Sequence, residues 1–332
     1  MSIRLPYLLF LGDAPDPLAA KVAFGIRDWR PEHCIGQLRM AGCQADLGLT
    51  DMRPEQAIAA GARTLVVGVA NRGGVISEAW VSELQAGMEA GLDLAAGLHN
   101  KLADVPALAD TAARLGRKIH DVRQPQQACD VADGLPRTGK RLLTVGTDCS
   151  CGKMYTALAL EKAMRARGID ADFRATGQTG ILITGDGVSI DAVVADFISG
   201  AVEAHAPANH PAHWDLVEGQ GSLFHVSFAG VSTGLLHGAQ ADALVLCHEP
   251  TRTHMRGLPH YPLPDLETCM TANLSAARLT NPAARFVGVS LNTSKLSDQA
   301  AADRLGEIES RTGLPTVDAV RTGVERIVDA LV

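Results

Sequence analysis

The 332-residue chain is poor in aromatic side chains, which make up 4% of it. So few rings leave little material for the stacking platforms on which single-stranded nucleic acids are held. Cations are not in excess either: 30 Lys and Arg stand against 37 Asp and Glu, a formal charge of −7. That balance argues against a partner that is nucleic acid or an anionic membrane surface, because both need clustered cations. No apolar run approaches the roughly 18–20 residues of a membrane span. The opening Met1-Ser2-Ile3-Arg4-Leu5-Pro6 leads into a short apolar stretch before Gly12-Asp13, which does not read as a secretion signal. The seven cysteines are odd in number and lack the rhythm of a disulfide scaffold, so a reducing, cytoplasmic setting is expected. Also missing is a G-x-G-x-x-G after the first strand-like segment. Gly12-Asp13-Ala14-Pro15-Asp16 occupies that place, and prolines do not build a dinucleotide turn. There is no internal repeat and no low-complexity tract.

What the chain does have is apolar residues, 46% of the total, ample for buried cores. Its length suggests about two domains. Strand-like runs at Leu8–Gly12, Thr64–Ala70, Asp93–Leu98 and Lys118–Val122 alternate with helical patterns at 17–29, 77–90 and 106–115. A polar, turn-rich stretch at 130–140 follows. Alternation then restarts with strands expected at 141–145, 171–175, 214–218, 241–247 and 285–291, and a last helix at 323–331. Strand–helix alternation implies parallel sheets with helices on both faces. The expectation is an α/β protein of two doubly wound domains, residues 1–135 and 136–332. Large apolar content with low charge favours a homo-oligomer.

The informative segment follows the strand at 141–145. Gly146-Thr147-Asp148-Cys149-Ser150-Cys151-Gly152-Lys153 runs directly into the helical pattern from Met154. Strand, glycine-bounded loop, Gly-Lys and helix together aim backbone N–H groups and a helix N-terminus at phosphate, and Lys153 adds a point charge. The spacing is one residue longer than the common G-x-x-x-x-G-K-[ST]. The hydroxyl that would hold Mg²⁺ after the lysine is replaced by Met154. Thr156 lies two positions on and points about 200° away around the helix. A diphosphate suits this loop better than metal-assisted triphosphate hydrolysis. Two other clusters read less sharply. His205, His210 and His213 match no common zinc spacing, and no metal is expected. Cys149 and Cys151 sit where a helix N-terminus lowers thiol pKa, and they are read as small spacers that also sense oxidation.

The Gly-Thr-Asp-x-x-x-Gly-Lys layout resembles dethiobiotin synthetase. Gly177-Gln178-Thr179-Gly180 and Trp214-Asp215-Leu216-Val217-Glu218-Gly219-Gln220-Gly221-Ser222 fit the same superfamily, the latter being similar to its Walker B-like segment. The whole chain is closer to another family. The runs Gly68–Gly74, Gly97–Asp104, Gly146–Cys149 with Gly152-Lys153, and His248-Glu249-Pro250-Thr251-Arg252 resemble the two-domain D-glutamate N-acetyltransferase family. That resemblance implies a Rossmann-like N-terminal domain, a P-loop-like C-terminal domain, and transfer of acetyl from acetyl-CoA to an amino acid, D-glutamate being the expected acceptor. Coenzyme A offers phosphate anions that need no metal, so Met154 is no obstacle. The cofactor segment is then Gly146 to Met154. Acetyl transfer needs a base and an oxyanion site. Glu218, Asp148 and His248 are the candidate bases, with Glu218 preferred because it ends a strand beside glycines. An ordinary strand-end carboxylate is its plain alternative. A dicarboxylate calls for guanidinium forks, and Arg252, Arg256 and Arg72 with Asn71 follow expected strands, where ligands collect. The rival readings are an ATP- and Mg²⁺-dependent carboxylase or ligase of the dethiobiotin-synthetase kind, and a CoA- or nucleotide-sensing regulatory protein.

Overall fold

The computed structural model describes residues 3–17, 19–69, 76–124 and 129–331. The chain divides into two compact units, Met1–Gln126 with Gly177–Ala192, and Gln127–Thr176 with Val193–Val332. The sequence suggests one cut after residue 135. The chain instead returns to the first unit after Thr176, because helix α6 (Gln178–Thr184) packs against α1 (Lys21–Trp29) and the Gly185 carbonyl accepts a hydrogen bond from Ile3 N–H at 3.0 Å.

The first unit holds β1 (Tyr7–Gly12), α1, β2 (Cys34–Arg39), α2 (Pro54–Ala59), β3 (Thr64–Val67), α3 (Glu78–Ala90), β4 (Asp93–Ala96), α4 (Pro106–Leu115), β5 (Ile119–Asp121) and α6. Its sheet runs in the order β2-β1-β3-β4-β5, every pair parallel. All six residues of β1 are buried, as expected of a strand covered on both faces. Phe10 meets Trp80 of α3 edge-to-face at 5.3 Å, and the Trp80 indole donates to Asp13 at 2.9 Å. Helix ends follow the sequence closely. The Ser77 hydroxyl accepts from Trp80 N–H at the start of α3. Pro106 opens α4, and Gly116 closes it in the left-handed region at φ 61°.

The second unit holds β6 (Lys140–Gly146), α5 (Lys153–Ala166), β7 (Ala171–Arg174), α7 (Ile198–His205), β8 (Trp214–Val217), α8 (Ala229–Ala239), β9 (Ala243–His248), α9 (Leu266–Ala277), β10 (Arg285–Leu291), α10 (Asp298–Thr312), β11 (Thr316–Val317) and α11 (Glu325–Asp329). Its sheet is also all parallel, in the order β11-β10-β9-β6-β8-β7. β6 therefore lies between β8 and β9, and successive connections from these strands leave to opposite sides. A crevice forms beyond the carboxyl ends of such strands. Glu218 and His248, at the ends of β8 and β9, flank the loop that follows β6. No described helix is long and apolar enough to cross a membrane.

Candidate active site

The loop from β6 to α5 is shaped by its own residues. Gly152 caps α5 at φ 108°, and Ser150 sits at φ 51°, one of two non-glycine residues in the left-handed region among those described. Such a backbone turns successive N–H groups to one side, the geometry of an anion nest. Gly146 has to be glycine, since a Cβ there would stand 2.6 Å from Cys151 Sγ and 3.1 Å from Lys153 Nζ. Lys153 is 6% exposed, and its ammonium donates to the Asp148 carbonyl at 2.8 Å. It forms no ion pair among the described residues.

Asp148 organises the loop from inside. Its buried carboxylate accepts from Cys149 N–H at 2.7 Å, from Arg256 N–H at 2.8 Å and from the Arg252 guanidinium at 2.6 Å. Arg252 also donates to the Cys149 and Ser150 carbonyls at 2.7 and 3.3 Å, and twice to Glu249 at 3.0 and 2.6 Å. Its fork is thus taken up in bracing the loop, where the sequence suggested a contact to a substrate carboxylate. Glu249 also accepts from Lys295 at 3.0 Å and from the Thr251 hydroxyl. Burial alone pushes the Glu249 carboxyl up, but the bonds from Thr251, Lys295 and Arg252 outweigh it and bring the pKa down to about 2. The Arg256 guanidinium donates to the Ser150 hydroxyl and pairs with no carboxylate among the described residues.

The three candidate bases stand differently. Asp148 is the loop's internal anchor. Glu218 is 4% exposed, accepts from Thr176 N–H at 3.0 Å, and its carbonyl takes the Thr176 hydroxyl at 2.6 Å. The turn after it admits no side chain: a Cβ on Gly219 would lie 1.6 Å from the Thr144 carbonyl oxygen. His248 ends β9 with Nδ1 2.9 Å from the Thr147 hydroxyl, and burial lowers its pKa to about 4. The imidazole is therefore neutral near pH 7. No hydrogen bond from its Nε2 occurs among the described residues.

Met154 is half-buried and opens no hydroxyl towards the loop. The Thr156 hydroxyl faces the core as its helical position requires, bonded to Ser290 Oγ at 2.8 Å and to the Gly152 carbonyl at 3.0 Å. One group with metal-ligating atoms close together occurs among the described residues: Asp148, Cys149 and His225, within 4.8 Å of one another. Two of its three members are already engaged. His225 Nδ1 accepts from Ser227 N–H at 3.2 Å, Nε2 lies 3.3 Å from the Arg256 carbonyl, and Asp148 holds Arg252. His213 bonds Asp170 and Asp215 at 2.9 and 3.2 Å at the start of β8, the end of the strand opposite Glu218. The C-x-C thiols do not fit a sensor. Burial raises the Cys149 thiol, and Cys151 is 1% exposed with its sulfur on the Asp148 carbonyl at 3.1 Å.

The structure thus brings together residues 146–154, Glu218, His248, Arg252 and Arg256. Asn71 and Arg72 lie outside the described residues. Lys295, Ser290 and Thr176 were missed by sequence reasoning. Lys295 and Thr176 each stand just past an expected strand, where the same rule that picked out Arg252 applies.

A Gly-Lys loop on an inner strand of an all-parallel sheet, joined to a second parallel-sheet unit, defines a two-unit phosphate-loop α/β protein. Residues 130–328 match a family model described as a domain of unknown function, DUF1611_C, P-loop domain. Residues 38–125 match its companion DUF1611_N, a Rossmann-like domain. The chain belongs to the DUF1611 family. It is 60% identical over 329 residues, 99% of both chains, to a protein of Tritonibacter scottomollicae named D-glutamate N-acetyltransferase. It is 50% identical over 328 residues, again 99% of both, to one of the same name from a Pseudoalteromonas species. The crystal structure of a DUF1611 family protein from Anabaena variabilis is similar throughout, with TM-score 0.84, 32% identity and 99% of each chain covered.

Proposed function

We propose that the protein is an acyltransferase that moves the acetyl group of acetyl-CoA to the amino group of D-glutamate. Full-length identity of 60% and 50% with two proteins of that name carries the reading. The site supports it independently. Two cations without carboxylate partners among the described residues, Lys153 and Arg256, stand at a glycine-bounded loop that leads into a helix N-terminus, a setting that suits the CoA diphosphate. The loop offers no hydroxyl at 154 to a divalent ion, which suits a thioester donor better than a triphosphate.

In the reaction the acceptor nitrogen attacks the thioester carbonyl carbon, the C–N bond forms, the C–S bond breaks, and the second proton leaving the nitrogen goes to the departing thiolate, which is released as CoA thiol. The acceptor ammonium must first lose a proton. Asp148 is held by three donors and Glu218 is engaged with Thr176, whereas His248 is neutral and its Nε2 makes no hydrogen bond among the described residues. We assign His248 as the base that takes this proton. The two carboxylates of the acceptor raise the His248 pKa by Coulomb attraction, towards the range in which general bases work. Glu218 keeps a supporting place at the end of β8.

The test is thiol release from acetyl-CoA in the presence of D- and L-amino acids, read with a chromogenic reagent against an enzyme-only blank. Release dependent on D-glutamate is expected. No release with any amine, in protein whose melting temperature acetyl-CoA still raises, would leave a CoA-binding protein without this activity.

A further inference from the structure

Beside the phosphate loop, the segment after β9 borders a second, open hollow. Thr253 to Leu263 folds back on itself: Met255 N–H donates to the Tyr261 carbonyl at 2.8 Å and Leu263 N–H to the Thr253 carbonyl at 3.1 Å. Met255 anchors the fold at 2% exposure. The turn and Lys295 border an open surface hollow of about 370 Å³.

The chemistry of its wall is one-sided. Arg252, Lys295 and His254 line it together with the hydroxyl-bearing Thr251 and Thr253, and no carboxylate does. The two carboxylates that hold these cations, Asp148 and Glu249, are almost fully buried beneath the wall. Hydrogen bonds keep Glu249 ionised down to a pKa of about 2, so its charge fixes Arg252 and Lys295 in place at any ordinary pH. Lys295 remains 66% exposed at its side chain, with donors to spare. Counted over the loop and the hollow, Lys153, Arg252, Arg256 and Lys295 face two carboxylates. Arg252 joins the two places physically, bonding the Cys149 and Ser150 carbonyls on one side and lining the hollow on the other.

We infer that this hollow is a second anion subsite, and that it takes the 3′-phosphate of the CoA ribose while the loop holds the diphosphate. The inference rests on the acetyl-CoA reading of the site. The shared chemistry is an anionic oxygen group, and the acceptor's side-chain carboxylate is the other reactant group that could meet it. A 3′-phosphate is the better match, because it belongs to the same molecule as the diphosphate and carries more charge per group than a carboxylate.

The experiment compares binding of acetyl-CoA and acetyl-3′-dephospho-CoA by calorimetry to wild type, Lys295→Ala and His254→Ala, with D-glutamate KM measured alongside. One or two charge-assisted hydrogen bonds correspond to about tenfold in affinity or more. Wild type is expected to bind the 3′-phosphorylated donor at least about tenfold tighter, and Lys295→Ala to shrink that preference to about threefold or less. His254→Ala leaves the Glu249 cluster intact and is expected to narrow the preference as well, which guards against a folding defect in the lysine variant. Equal wild-type affinity for the two donors overturns the subsite and leaves the acetyl-CoA reading standing. A raised D-glutamate KM in both variants, with donor preference unchanged, gives the hollow to the acceptor and also overturns it. Failure of wild type to bind either donor sinks the acetyl-CoA reading itself.

Discussion

Replacing Arg252 by alanine separates a brace from a substrate contact. The guanidinium touches Asp148, Glu249 and two loop carbonyls, and its side chain is 18% exposed while both carboxylates are under 5%. Removing one partner of a buried ion pair costs about 3–5 kcal/mol, because the remaining charge stays buried and unpaired. Here the loss is moderated. Asp148 keeps the N–H groups of Cys149 and Arg256, and Glu249 keeps Lys295 and Thr251, so about 2–4 kcal/mol is the reasonable figure. For a unit of this size, with each kcal/mol moving Tm by about 2–4 °C, a fall of roughly 5–12 °C follows. Differential scanning fluorimetry without ligand reads it, and urea unfolding checks that the midpoint moves with an unchanged slope. Arg252→Lys keeps the charge and loses the fork, so an intermediate Tm is expected. A Tm within about 1 °C of wild type, accompanied by a raised acceptor KM, would refute the brace and return Arg252 to the substrate.

Two further expectations concern protons and thiols. His248 titrates at about 4 in the folded protein against about 6.5 unfolded. Between those values the unfolded chain binds a proton that the folded one refuses, so stability falls as pH drops from about 6.5 to 4. Glu249 adds a loss below the unfolded carboxyl value, extending down to about 2. Urea midpoints at pH 7, 5.5 and 4.5 should decline stepwise, with His248→Gln flattening the upper part, and a flat wild-type series would contradict the buried neutral imidazole. Burial raises the thiols of Cys34, Cys149, Cys247 and Cys269, the last to about 12, and Cys151 is 1% exposed. At neutral pH a native sample should therefore titrate promptly at no more than Cys43 and Cys129, and all seven cysteines after denaturation. Rapid modification of Cys149 in the native protein would revive an oxidation-sensing role.

The phosphate loop was legible because its signal is local: glycines, a lysine and the change from strand to helix lie within a dozen residues. The longer strands could be read for the same reason, as buried parallel strands are unbroken apolar runs. β2 was not, since Cys34–Arg39 carries Gly, Gln and Arg among its apolar residues and is half-exposed at the sheet edge. β11 has two residues, too few for any period. At the site, residue types were foreseeable and their partners were not. Arg252 follows a strand, as a substrate contact would, but its pairing with Asp148 spans 104 residues of sequence. Lys295 reaches Glu249 across 46. Contacts of that range are products of sheet order, which no single stretch of the chain encodes.

The return of residues 177–192 to the first unit bears on how the protein can be made and cut. A ribosome that has released residues 1–126 has not yet supplied α6, which packs on α1, nor Gly185, which ties down Ile3. By the time those residues emerge, β6, the phosphate loop, α5 and β7 have already been synthesised. The two units consequently cannot mature strictly one after the other. Each waits on a piece of chain that lies beyond part of its neighbour, and neither can be excised as an uninterrupted fragment without leaving part of itself behind.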